Sequence, residues 1–212
     1  MIILAPLLLS VAAATETVKS EEPVAHFGDT PVYAEEVGFH LRDQLALVAV
    51  YFKKSHQVDL SGETWLKSYN GDVPVELLQR RALDACWIAK TIQLLAKEHH
   101  VGKELPFPGY SEACNRMNQA RLKDREQGRV IYGLAQYSPR QLYKYQMGNL
   151  RIQLLEGFAD GNYEQGELKL RSAIKERQEK VSLKADLEKI GQLTAGLVLI
   201  KSSEDRDNRN HI

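Results

Sequence analysis

Apolar residues recur at three- and four-residue steps along most of this chain, and that spacing predicts a protein built of helices. Over residues 34–54, Val37, Leu41, Leu45, Val48 and Phe52 form one stripe, and Leu47, Val50 and Tyr51 widen it. A stripe that broad belongs near the centre of a fold. A second stripe over residues 74–100 runs through Leu78, Ala82, Ala85, Ala89, Ile92 and Ala96. Pro74 suits its first turn, where a missing N–H costs nothing, and Gly102 suits its stop. The small residues on this stripe let a neighbouring helix approach closely. Residues 111–128 are helical by composition but polar, with Arg116, Arg121, Lys123, Asp124, Arg125 and Glu126. Such a helix is solvated or packs along a narrow seam.

Ser138-Pro139-Arg140-Gln141 is a helix start: Ser138 caps, Pro139 takes the first helical position and Gln141 completes a capping box. That helix is expected to run to about Ala159, where Asp160-Gly161-Asn162 ends it. Residues 167–193 read as one further charged helix with Leu170, Ile174, Val181, Leu187 and Ile190 on its better face. A short apolar patch follows at 197–200. Residues 201–212 are polar and are expected to be a disordered tail. At the other end, Val24–Phe27 and Val32–Tyr33 flank a turn at Gly28-Asp29 and are too short for more than a hairpin-like entry. The fold class is therefore mostly α, with a short N-terminal β entry and a C-terminal charged helix.

Ile2–Ala14, IILAPLLLSVAAA, reads as an export signal ending in an A-x-A site, although no Lys or Arg precedes it; the alternative is a buried N-terminal helix. It is shorter than the roughly 20 apolar residues a membrane span needs. With no Cys at the cleavage point, a lipoprotein anchor is not supported. The organisation expected is a signal over 1–14, a flexible lead-in over 15–23, a helical domain over 24–200 and the tail. The setting expected is extracytoplasmic: periplasm, cell surface or secreted.

Composition adds limits. The 212 residues suit one ordinary domain, and 43% hydrophobic with 26% charged residues is globular. Lys+Arg and Asp+Glu stand at 28 each, which argues against a dedicated nucleic-acid binder. Cys86 lies on the apolar side of a helix, where a buried free thiol is the simpler reading, and Cys114 lies in a polar stretch. An exported protein could pair them, but sequence does not bring their Cα atoms within bridging distance.

Catalytic chemistry is hard to find. The six His are scattered, with no H-E-x-x-H or Cys-rich spacing, so no metal or other cofactor is expected. Neither a phosphate-binding glycine loop nor a G-x-S-x-G turn is present. The Arg-rich run 116–129 has the charge to contact phosphates, but Asp124 and Glu126 interrupt it as on a solvated helix. Aromatic residues are better candidates. Trp65, Tyr69, Tyr132, Tyr137, Tyr143 and Met147 are the candidate peptide-binding residues, because Tyr offers apolar area with a polar tip and Met repacks around varied partners. Tyr143, Met147, Leu150 and Leu154 also have core spacing, and that reading is preferred for the row. Trp65, Tyr132 and Tyr137 are freer of periodicity and are expected to be more exposed.

At these residues the chain resembles the N-terminal chaperone domain of the SurA and PrsA class of extracytoplasmic foldases. The likeness covers about residues 24–158. It rests on Val24-Ala25-His26-Phe27-Gly28-Asp29-Thr30-Pro31-Val32 followed by Glu35-Glu36-Val37; a further set of similar exported proteins, often described as isomerase-like, shares Trp65 before Pro74-Val75-Glu76, Ala96-Lys97-Glu98, and Val130-Ile131-Tyr132-Gly133 before the Tyr-rich run from Tyr137 to Tyr145. The resemblance implies a holdase for unfolded or extended polypeptides. In that class the chaperone helices accompany a parvulin domain of on the order of 100 residues, whereas about half that length follows Ala159. Prolyl isomerase activity is therefore not carried over. The alternatives are a divergent prolyl cis-trans isomerase and a non-chaperone cell-surface interaction module. A homodimer through the C-terminal helix is the further partner expected.

Overall fold

The computed structural model describes residues 21–159 and 161–209, with side chains described as far as Val198. The export signal and most of the lead-in lie outside the described residues. Strands β1 (Pro23–Phe27) and β2 (Thr30–Tyr33) open the fold. Helices α1 (Ala34–His56), α2 (Pro74–Glu98), α3 (Tyr110–Glu126), α4 (Pro139–Ala159) and α5 (Tyr163–Lys180) follow. Strand β3 (Leu183–Ala185) and helix α6 (Leu187–Arg209) complete the described chain. The fold is mostly α, with one small antiparallel sheet of order β2-β1-β3.

α2 is the spine. Its N-terminal half packs Leu77, Leu78, Ala82, Leu83 and Cys86 against α1, the hairpin and α6. Its C-terminal half packs Ile92, Leu95 and Ala96 against Leu150 and Leu154 of α4 and Leu170 of α5. α4 and α5 approach closely at Gly166, where an added Cβ would stand 2.9 Å from the Ala159 Cα. Between these two cores sits an aromatic cluster built from Phe39, Tyr110 and Tyr143.

The entry is a true hairpin. Gly28 turns it at a φ of +58°, a left-handed conformation that glycine adopts without strain. Its N–H donates to the Ser182 carbonyl at 3.0 Å, tying the turn to the far end of the chain. Phe27 faces inward and stacks on Trp87 with ring centroids 4.2 Å apart.

Two expectations for the C-terminal third are corrected. The single charged helix over 167–193 is broken: α5 ends at Lys180, β3 pairs with β1 through Ala25–Ala185 and Phe27–Leu183, and α6 starts at Leu187. The segment Val181-Ser182-Leu183-Lys184-Ala185 alternates apolar and polar, which is a strand period, and β1 offers it a free edge. Asp186 then caps α6 by accepting from the Lys189 N–H at 3.1 Å. The polar tail also differs, since α6 stays helical to Arg209. No Gly or Pro between Leu197 and Arg209 stops it. Residues 210–212 lie outside the described residues. α6 folds back on its own chain, burying Ile190, Thr194 and Val198.

Candidate functional site: a buried junction and a projecting arm

Glu35 and Glu36 are neighbours with different tasks. Glu35 caps α3 from another helix: its carboxylate accepts from the Tyr110 N–H at 3.1 Å and from the Ser111 hydroxyl. Negative charge there also complements the positive end of the α3 dipole. Glu36 is fully buried and pairs with Lys90 of α2, Nζ to Oε2, at 2.7 Å. Gln93 donates to Glu36 Oε1 at 2.9 Å and the Lys90 ammonium donates to Gln93 Oε1 at 3.3 Å. Lys90 also lies 5.6 Å from the centre of the Phe107 ring. A buried charge is tolerated only when paired and hydrogen-bonded in this way.

Tyr143 joins this network from α4. Its hydroxyl lies 3.4 Å from Glu36 Oε1 and 3.1 Å from His40 Nε2. Burial, then the Glu36 charge, raises the Tyr143 phenol well above its ordinary value. Burial lowers His40 to a pKa of about 4; Lys90 and Lys144 push the same way and Asp43 opposes them. His40 is thus neutral at neutral pH. Burial likewise raises the Cys86 thiol, so it is a poor nucleophile. Cys86 and Cys114 are both free and both buried.

Above His40 and Tyr143 an open groove of about 270 Å³ separates α2 from α4. Ala85, Ile88, Ala89 and Ile92 form one wall; Tyr143, Met147 and Gly148 form the other. At its rim Lys144 pairs with Asp43 at 2.9 Å, and Arg151 pairs with Glu167.

The second feature is an arm formed by α3, the loop over 127–138 and the start of α4. Polar contacts set the loop. Asn118 grips Tyr137 twice, donating to its carbonyl at 2.8 Å and accepting from its N–H at 2.9 Å. Arg121 donates to the Tyr132 carbonyl at 2.7 Å and to the Leu134 carbonyl at 2.6 Å, and its guanidinium lies 5.4 Å from the centre of the Tyr137 ring. The loop backbone is pinned while its apolar side chains face out: Val130 is 76% exposed, Tyr132 85% and Leu134 48%.

The structure separates the six candidate binding residues. Trp65 is 1% exposed, in a 3-10 turn over Gly62–Leu66 that inserts it into the first core, which corrects its expected exposure. The loop folds over it because the Ser61–Thr64 capping box ties the turn. Tyr69 is half-buried and donates to the Thr64 carbonyl at 3.2 Å. Tyr143 is buried, as its row spacing indicated; Tyr137 and Met147 are half-buried against the same aromatic cluster. Tyr132 alone stands in solvent.

Sequence reasoning passed over Val130 and Leu134, the grips made by Asn118 and Arg121, and the Glu36–Lys90 pair. The pair left a readable signal. Glu36 and His40 share a face of α1, Cys86, Lys90 and Gln93 share a face of α2, and opposite charges inside two apolar stripes call for each other.

The fold and this site define a mostly helical protein with pinned, outward-facing apolar residues and a buried ion pair. No family model matches the chain, so the SurA and PrsA likeness has no such support, and no solved structure matches it. Over 129 residues the chain is 22% identical to a protein of Bifidobacterium longum subsp. longum named as a chaperone for lacto-N-biosidase. The match covers 61% of this chain and 46% of that protein, so the chain spans about half the length of the curated relative it matches. Among the described residues, no helix is long and apolar enough to cross a membrane.

Proposed function

We propose that this chain is a chaperone-like protein that binds polypeptide segments of another protein and does no bond chemistry itself. The observation that carries this reading is the loop over 127–138, whose backbone is anchored while Val130, Tyr132 and Leu134 are held in water. Apolar area ordered before binding lowers the entropy cost of capturing a partner. The likeness to a protein named as a chaperone supports the same reading. Holdase action on unfolded or extended clients in an extracytoplasmic setting is the specific form proposed. Binding in that form is weak and multi-site, and release follows client folding.

A second reading follows from the relative's name, which gives one enzyme as its client: a chaperone dedicated to a single partner. The full chain incubated with a reduced, aggregation-prone client decides between them. Suppressed light scattering supports the holdase. No suppression sinks it and leaves the dedicated partner. A proline-limited refolding assay in the same buffer is expected to show unchanged kinetics, and acceleration would restore the isomerase alternative. Sedimentation of the same sample tests the homodimer through the C-terminal helix, against which stands the burial of Ile190 and Val198 within their own chain.

A further inference from the structure

The chain is neutral overall, but its charge is unevenly spread. Residues 110–145, the arm and the first turns of α4, carry seven Lys/Arg against three Asp/Glu. Of the arm's cations, Arg129 is paired with Asp124, and Arg140 and Lys144 with Asp43. Arg121 is committed to loop carbonyls. Arg116, Lys123 and Arg125 are exposed, and no ion pair among the described residues engages them. Arg125 lies one turn beyond Arg121 on the same face of α3, the face that holds the loop. Glu112 and Glu126 of α3 are exposed carboxylates that no ion pair among the described residues engages, so the arm keeps a net excess of positive charge beside its exposed apolar tip.

We infer that this arm is a docking surface for an acidic, aliphatic-rich polypeptide segment, with Val130, Tyr132 and Leu134 as its apolar contact and Arg125 as its charged flank. The inference rests on the chaperone-like reading and gives that reading's client a chemistry. Charge complementarity makes the choice. A basic or neutral apolar segment gains the same tip contact but none of the field, and a basic one is repelled by it. Tyr132 suits the role because it brings large area with few rotatable bonds. Arg121 and Asn118 act as positioning residues, since they hold the loop backbone and leave its side chains free.

The test uses the full chain and two synthetic peptides with the same Leu and Phe positions. One carries Glu and Asp between them and the other Lys and Arg. Fluorescence anisotropy is expected to show the acidic peptide binding at least about tenfold tighter, with the gap shrinking as salt rises. Val130→Ser with Tyr132→Ser is expected to remove most of that binding. Arg125→Glu is expected to narrow the preference while leaving the fold intact. Equal affinity for the two peptides overturns the inference, as does unchanged acidic-peptide binding in the double variant. Tighter binding to a single-stranded oligonucleotide also overturns it, because exposed Tyr beside Arg can stack on bases. Aggregation suppression measured on the same samples keeps the two ideas apart. If suppression persists while the acidic peptide fails to bind, the arm falls and the chaperone reading stands. If the wild-type chain suppresses nothing yet binds the acidic peptide through the tip, the holdase form of the reading falls and the interface stands.

Discussion

The junction of α1, α2 and α4 and the arm at α3 use the same residue types to opposite ends. At the junction, Tyr143 is buried with its hydroxyl between His40 and Glu36, and Lys90 is neutralised by Glu36 inside the protein. On the arm, Tyr132 stands in water and Arg121 spends its donors on loop carbonyls. At the junction, polar groups are placed so that apolar side chains can pack around them. On the arm, polar groups are placed so that apolar side chains cannot. The contrast teaches that ordered exposed apolar surface needs its own polar scaffold, because no core holds it.

Removing one partner of the buried pair is the harshest way to break this contrast. Lys90→Met leaves the Glu36 charge uncompensated and is expected to cost on the order of 3–5 kcal/mol in chemical denaturation. Adding Glu36→Leu is expected to recover much of that loss, because the bare charge goes with it. A single variant with wild-type stability would show that the pair is not held as described.

Acid comes next. His40 has its pKa lowered to about 4 in the fold, against about 6.5 unfolded. Between those values the unfolded chain binds the extra proton, so stability is full above about pH 6.5 and falls as pH drops toward 4. The loss through this one group is on the order of 3 kcal/mol. His40→Asn is expected to flatten that part of the pH profile while the wild-type chain keeps its slope. Parallel profiles for the two proteins would place the acid sensitivity elsewhere.

Smaller effects are expected on the arm. Arg121→Ala is expected to speed hydrogen exchange at the amides of residues 130–137, with a global loss of about 1 kcal/mol. Unchanged exchange there would mean the loop does not depend on that guanidinium. Smallest of all, Tyr132→Ser is expected to move stability by only about 0.5 kcal/mol, since its side chain packs on little. A larger shift in denaturant midpoint would mean that Tyr132 belongs to a core after all.

Much of the trunk was legible from spacing. The stripes on α1, α2 and α4, Pro74 and Pro139 at helix starts, and the Gly28-Asp29 turn lie where periodicity and turn chemistry put them, except that Leu47 and Val50, read as widening the α1 stripe, are exposed on its outer side. The 181–185 segment was misread because Val181, Leu187 and Ile190 also fit a helical face, and the competing two-residue period covers only five positions. Trp65 was misread because its burial comes from a short capped turn folding over the core, which leaves no periodic trace. Within the candidate site, Tyr132 was singled out as aromatic and non-periodic. Val130 and Leu134 look like ordinary loop residues until Arg121 and Asn118 are seen to pin the backbone beneath them.

By itself the sequence determined the helical class and the order of its main helices, because helical period and end signals are local. Only the tertiary structure decided that the 181–185 segment joins β1, that Glu36 and Lys90 neutralise each other, and that the Tyr143 hydroxyl lies beside Glu36 and His40. These outcomes depend on groups brought together from distant parts of the chain, 54 residues apart for Glu36 and Lys90 and 107 for Glu36 and Tyr143. No local pattern encodes such distances, since each partner's environment exists only once the other has arrived.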